Sequence, residues 1–139
     1  AASPAKPNTS PAPTGQTKPQ SPPAELKPYK EGSGHHVPAK KAFEGTPGYD
    51  INKALAIPNA ELKRLGVNHP KITGAQKTAY MDFAKTGKTL TWEDIAKIET
   101  DVLIKTGMKP DMAQSTVAKA IEALKDAGVA APVRIPWGK

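Results

Sequence analysis

Eight of the fifteen prolines fall in the first thirty residues, AASPAKPNTSPAPTGQTKPQSPPAELKPYK. Proline has no backbone N–H to give to a helix or a sheet interior, so a run this dense cannot form either. Leu26 and Tyr29 are the only large apolar side chains in the stretch, too little buried surface to offset the entropy of ordering it. Residues 1–30 are therefore expected to be an extended Pro/Ala/Lys-rich linker. That leaves residues 31–139 as the folding unit, one domain with a modest core.

The chain has no cysteine. Disulfides, thiolate catalysis and cysteine zinc sites are excluded, and any metal has to be held by histidine, carboxylate or amide groups. The fold should tolerate oxidising or reducing surroundings alike. No apolar run is long enough for a signal peptide or a membrane span. Because the chain starts at Ala1 rather than Met, it reads as a piece of something longer, with the linker tethering it to an upstream carrier or secretion module.

Formal charge is +7, and its distribution is uneven. Residues 31–78 carry a net +3, from Lys40, Lys41, Lys53, Lys63, Arg64, Lys71 and Lys77 against Glu31, Glu44, Asp50 and Glu61, whereas residues 79–139 hold nine bases and eight acids. The basic part would suit a polyanion.

Hydrophobic periodicity gives the second half of the chain an α-helical reading. TWEDIAKIETDVLIKTG has Thr91 as N-cap, an apolar face of Ile95, Ile98, Val102 and Leu103, and Gly107 as stop. KPDMAQSTVAKAIEALKDAG repeats the plan, with Pro110 and Asp111 at its start, Met112, Val117, Ala120, Ile121 and Leu124 on its buried face, and Gly128 at its end. Two such helices with a short join predict an antiparallel hairpin that carries no chemistry of its own. Upstream, either Asn68 caps a helix with Pro70 in its first turn, or Thr73 and Gln76 form a capping box one turn later. Tyr80, Phe83 and Ala84 share a face of that helix, and Gly87 ends it.

The first half is more irregular. Pro38 restricts HHVPAKKAF to an edge strand or a turn, and EGTPGYD reads as a loop. KALAIPNAELKRLG offers an extended stretch into Ile57, a break at Pro58, and Asn59 as N-cap of a short helix closed by Gly66. The tail ends in Trp137, which either docks on the core or meets a partner. The expected fold class is α+β, mostly α.

All three histidines lie in this first half: His35 and His36 behind Gly-Ser-Gly, and His69 in NHPKITGAQ. Histidine is the natural base near neutral pH, since its unperturbed pKa is about 6.5. The order of a His pair, Asn59 after a hairpin and His69 entering a basic helix resembles the HNH and endonuclease VII superfamily of ββα-metal nucleases. GHH followed by NHPKITGAQ and the RIPWGK ending is similar, more narrowly, to the GHH-type toxin nucleases, found at the C-terminus of secreted effectors including those of type VI secretion.

The resemblance covers roughly residues 32–139 and implies a small ββα-metal nuclease core followed by the helical hairpin. It implies His36 as general base, Asn59 orienting that base or joining the metal shell, and His35 and His69 as metal ligands. It further implies a divalent metal, Mg²⁺ or Mn²⁺, with Zn²⁺ or Ni²⁺ also suited to two imidazoles. The substrate would be DNA, cut without sequence preference, and an acidic cognate immunity protein would be the partner. Delivery would be by a bacterial secretion system into a target cell. Lys40, Lys41, Lys63, Arg64 and Lys71 flank the motif segments and are the expected phosphate contacts, with few aromatics near enough to stack on bases. The competing expectation is a non-catalytic basic nucleic-acid-binding or partner-docking module, whose binding would survive a chelator.

Overall fold

The computed structural model describes residues 22–130, 132 and 134–137. The body is α+β and mostly helical. Its strands are β1 (Lys27–Pro28), β2 (His35–His36) and β3 (Leu55–Ile57). A single turn, α1 (Tyr29–Gly32), separates the first two. The helices that follow are α2 (Asn59–Leu65), α3 (His69–Ala84), α4 (Trp92–Lys105) and α5 (Pro110–Asp126). The sheet is antiparallel, with β3 in the centre and β1 and β2 at its edges. Lys27 faces Ala56 on one side of β3, and His36 faces the same Ala56 on the other. Pro38 has no N–H to donate, and it stands two residues past the end of an edge strand, where none is needed.

Within the stretch expected as linker, the chain joins the fold by residue 24. Ala24 is buried and its N–H donates to Thr116 Oγ1 on α5 (2.8 Å). Glu25 N–H donates to Glu61 Oε2 (2.9 Å), Leu26 packs against the core, and β1 supplies a third strand. The few apolar side chains near the end of the proline-rich stretch find an existing surface to cover, so they need no core of their own. The rest of the expected linker, residues 1–21, lies outside the described residues.

The helices end where local chemistry dictates. The Asn68 side chain accepts from Lys71 N–H (3.0 Å), which settles the start of α3 in favour of the Asn68 cap. Thr91 and Asp94 form a reciprocal capping box on α4. At α2 the cap is Pro58 rather than Asn59: Pro58 holds the extended conformation (φ −57°, ψ 150°) and its carbonyl accepts from Leu62 N–H, so Asn59 is already the first helical residue. α4 packs against both α3 and α5. The core runs through Phe43, Ile57, Ile72, Tyr80, Ile95, Leu103 and Val117. Ile98, expected on the apolar face of α4, and Met112, expected on the buried face of α5, are only partly buried.

Candidate active site

The histidines meet at one cleft of about 250 Å³. His35 and His36 reach it from β2 and His69 from the first residue of α3, and the His35 and His69 rings meet edge to face with centroids 5.4 Å apart. Neighbours in a regular strand point to opposite faces, so two of them sharing a cleft requires an irregular backbone. β2 is two residues long, and it is entered through Ser33 at φ 52° and Gly34 at φ 103°. A Cβ on Gly34 would stand 2.0 Å from the Ile57 carbonyl oxygen and 3.0 Å from the Asn59 nitrogen. Only glycine lets the histidine strand lie this close to the end of β3.

Burial sets the charge state. His35 is 3% exposed, and burial, helped by the neighbouring His69 and His36, pulls its pKa down to about 3. Burial also lowers His36, against the opposing pull of the Ile51 carbonyl, and it lowers the partly exposed His69. All three imidazoles are therefore neutral at pH 7. His36 Nε2 lies 3.2 Å from the Ile51 carbonyl oxygen. A carbonyl can only accept, so Nε2 carries the hydrogen and Nδ1 keeps the lone pair of a base. Tyr29 stacks on the same ring at 4.2 Å and fixes its plane.

His35 Nε2 is buried with no hydrogen-bond partner. An unpaired buried nitrogen is costly, and a neutral imidazole beside a second one is a donor set that suits a borderline divalent cation. Two imidazoles fit as part of a coordination shell, with water or substrate oxygens completing it. Among the described residues no group of three His, Cys, Asp or Glu side chains is arranged to hold a metal.

Lys40 and Lys41 line the cleft beside the histidines, together with Tyr29, Thr73, Gln76 and Trp137. The expected scarcity of aromatics is corrected: Trp137 comes from the tail, lies 6.3 Å from Tyr80 and carries Lys41 Nζ 5.9 Å from its ring centre. Asn59, Lys63, Arg64 and Lys71 are not among the described residues that line the cleft. Asn59 is exposed at the start of α2, with its backbone nitrogen next to Gly34. Arg64 is paired with Glu61 through two hydrogen bonds of 2.7 and 2.8 Å, which offsets the charge of the guanidinium expected to contact phosphate. Thr73 and Gln76 follow His69 at helical spacing on α3, and that spacing is the signal the sequence offers for them. Tyr29, six residues before His35, and Trp137, from the tail, carry no such signal, because neither stands at a regular spacing from the histidines.

Comparison with protein-family models, with curated proteins and with solved structures finds no match to this chain.

Proposed function

We propose that the chain is a metal-dependent, non-specific DNA endonuclease that acts as the toxic C-terminal domain of a secreted antibacterial effector. The observation that carries the chemical part is the cleft in which neutral His35, His36 and His69 converge next to Lys40 and Lys41. Phosphodiester hydrolysis needs a base that is unprotonated near neutral pH, positive charge near the phosphate oxygens, and groups that hold the strand. His36 supplies the base: Nδ1 takes the proton of the attacking water, and the resulting imidazolium keeps its Nε2–H on the Ile51 carbonyl. The water oxygen then bonds to phosphorus as the P–O bond to the leaving sugar oxygen breaks, and that oxygen takes a proton from solvent. Lys40 and Lys41 orient the strand through its phosphates. His35 and His69 are the residues that would hold a divalent metal, which supplies positive charge against the phosphate oxygens when bound. The toxin reading rests on the sequence resemblance, and the basic cleft mouth suits an acidic immunity protein that covers it. The described residues include no helix long and apolar enough to cross a membrane.

The test is incubation of purified protein with supercoiled plasmid in Mg²⁺, in Mn²⁺ and in EDTA, alongside His36→Ala. Nicking that needs metal and drops about 10²- to 10⁴-fold in the variant is the expected result. Uncut plasmid and uncut RNA in every lane, with the protein folded, would replace the enzyme by a binding module.

A further inference from the structure

Glu99, on α4, has no exposed surface (0%), although carboxylates are among the side chains least often fully buried. Three residues donate hydrogen bonds to it. Ala39 N–H reaches Oε2 at 2.9 Å and Tyr80 O–H reaches the same oxygen at 2.6 Å. Gln76 Nε2 donates to Oε1 at 2.8 Å and to Oε2 at 3.1 Å. Burial raises the Glu99 pKa, and these donors pull it the other way.

The partners belong to the two separate pieces of chain that make the cleft. Ala39 follows the histidine pair in the turn after Pro38, and it lines the cleft together with Gln76. Gln76 and Tyr80 lie on α3, the helix that begins with His69. At about 3.6 residues per turn, positions 69, 73, 76 and 80 share one face. One side chain from the helical hairpin thus ties the turn leaving His35 and His36 to the helix that carries His69.

We propose that Glu99 is the positioning residue of this site, holding the Ala39 turn and α3 together so that the His35 and His69 rings meet at their observed separation. The activity part of this inference rests on the nuclease reading. Reacting groups work when held within about 0.5 Å of their productive geometry, and a misplacement of about 1 Å costs about a hundredfold in rate. A carboxylate suits the task because it accepts from all three donors at once. An apolar residue in its place leaves the Ala39 N–H and the Gln76 amide unpaired, and frees the turn to shift.

The experiment compares Glu99→Leu and Glu99→Gln with the parent. Glutamine keeps the shape, and a turned Gln76 amide can offer its oxygen to the new N–H, so the contacts to Ala39 and α3 survive. In Glu99→Leu, kcat for plasmid cleavage should fall about tenfold to a hundredfold. Glu99→Gln should keep kcat within about threefold of the parent. The ring resonances of His35 and His69, followed by NMR, should move in Glu99→Leu and return in Glu99→Gln. Unmoved ring resonances, an unchanged kcat in Glu99→Leu, or an equal loss in both variants would overturn the proposal. If Glu99→Leu does not fold, Tyr80→Phe removes one donor and keeps the ring in the core. Both histidine resonances must then shift and kcat must fall by about threefold or more, or the proposal fails. A parent protein that cuts nothing removes the nuclease reading, and the histidine resonances then decide the role of Glu99 alone.

Discussion

His35 stands out at the scale of single residues because its burial makes the fold itself sensitive to acid. Its pKa drops from the ordinary 6.5 to about 3 in the native state, so between those values the unfolded chain binds a proton that the folded chain refuses. The stability this imidazole permits is complete above about pH 6.5 and is lost steadily as the pH falls. One fully shifted group amounts to about 2 kcal/mol at pH 5. Thermal melts in EDTA should therefore show a falling midpoint from pH 7 to pH 5 in the parent, and a shallower fall in His35→Gln. Parallel curves for the two proteins would mean that His35 accepts a proton without disturbing the structure. The histidines themselves are legible in the sequence, since their order along the chain points to one site. Their tautomers and neutrality are not, because these depend on the Ile51 carbonyl and on burial that only the assembled fold provides.

Among the elements, the three long helices follow from periodicity and caps, and they stand close to where those signals place them. Such signals work because they are local: Thr91 and Asp94 satisfy each other within one turn. What the sequence hides is non-local. Glu99 occupies a core position on α4 between Ile95 and Val102, where an apolar stripe predicts no charge, and its partners lie 19, 23 and 60 residues away in the chain. β1 is hidden for the same reason, since a two-residue strand ending in proline has no periodicity to show. A measurable consequence is that the fold needs β1. A chain starting at residue 31 lacks β1, the Ala24 hydrogen bond to Thr116 and the Tyr29 stack on His36. It should be about 2 to 4 kcal/mol less stable in urea than one starting at residue 22. Equal midpoints would show that residues 22–30 lie on the body without supporting it.

For the whole molecule, the decisive property is where positive charge is free to act. Lys40 and Lys41 are exposed and line the cleft, whereas Arg64 is engaged by Glu61. Binding of DNA in EDTA should weaken as salt rises. Replacing Lys40 or Lys41 by alanine should lower the slope of log affinity against log salt by about 1 for each phosphate that is no longer neutralised. Arg64→Ala should leave that slope unchanged, and an effect as large as that of Lys41→Ala would place the DNA over α2 instead. The cleft also has a history in time. One of its walls is Tyr29 and another is Trp137, so the chain must be made through residue 137 before the two can face each other. A ribosome translating this domain holds an incomplete site until the last of those residues has left the exit tunnel, and the order of synthesis alone keeps the cleft from closing early.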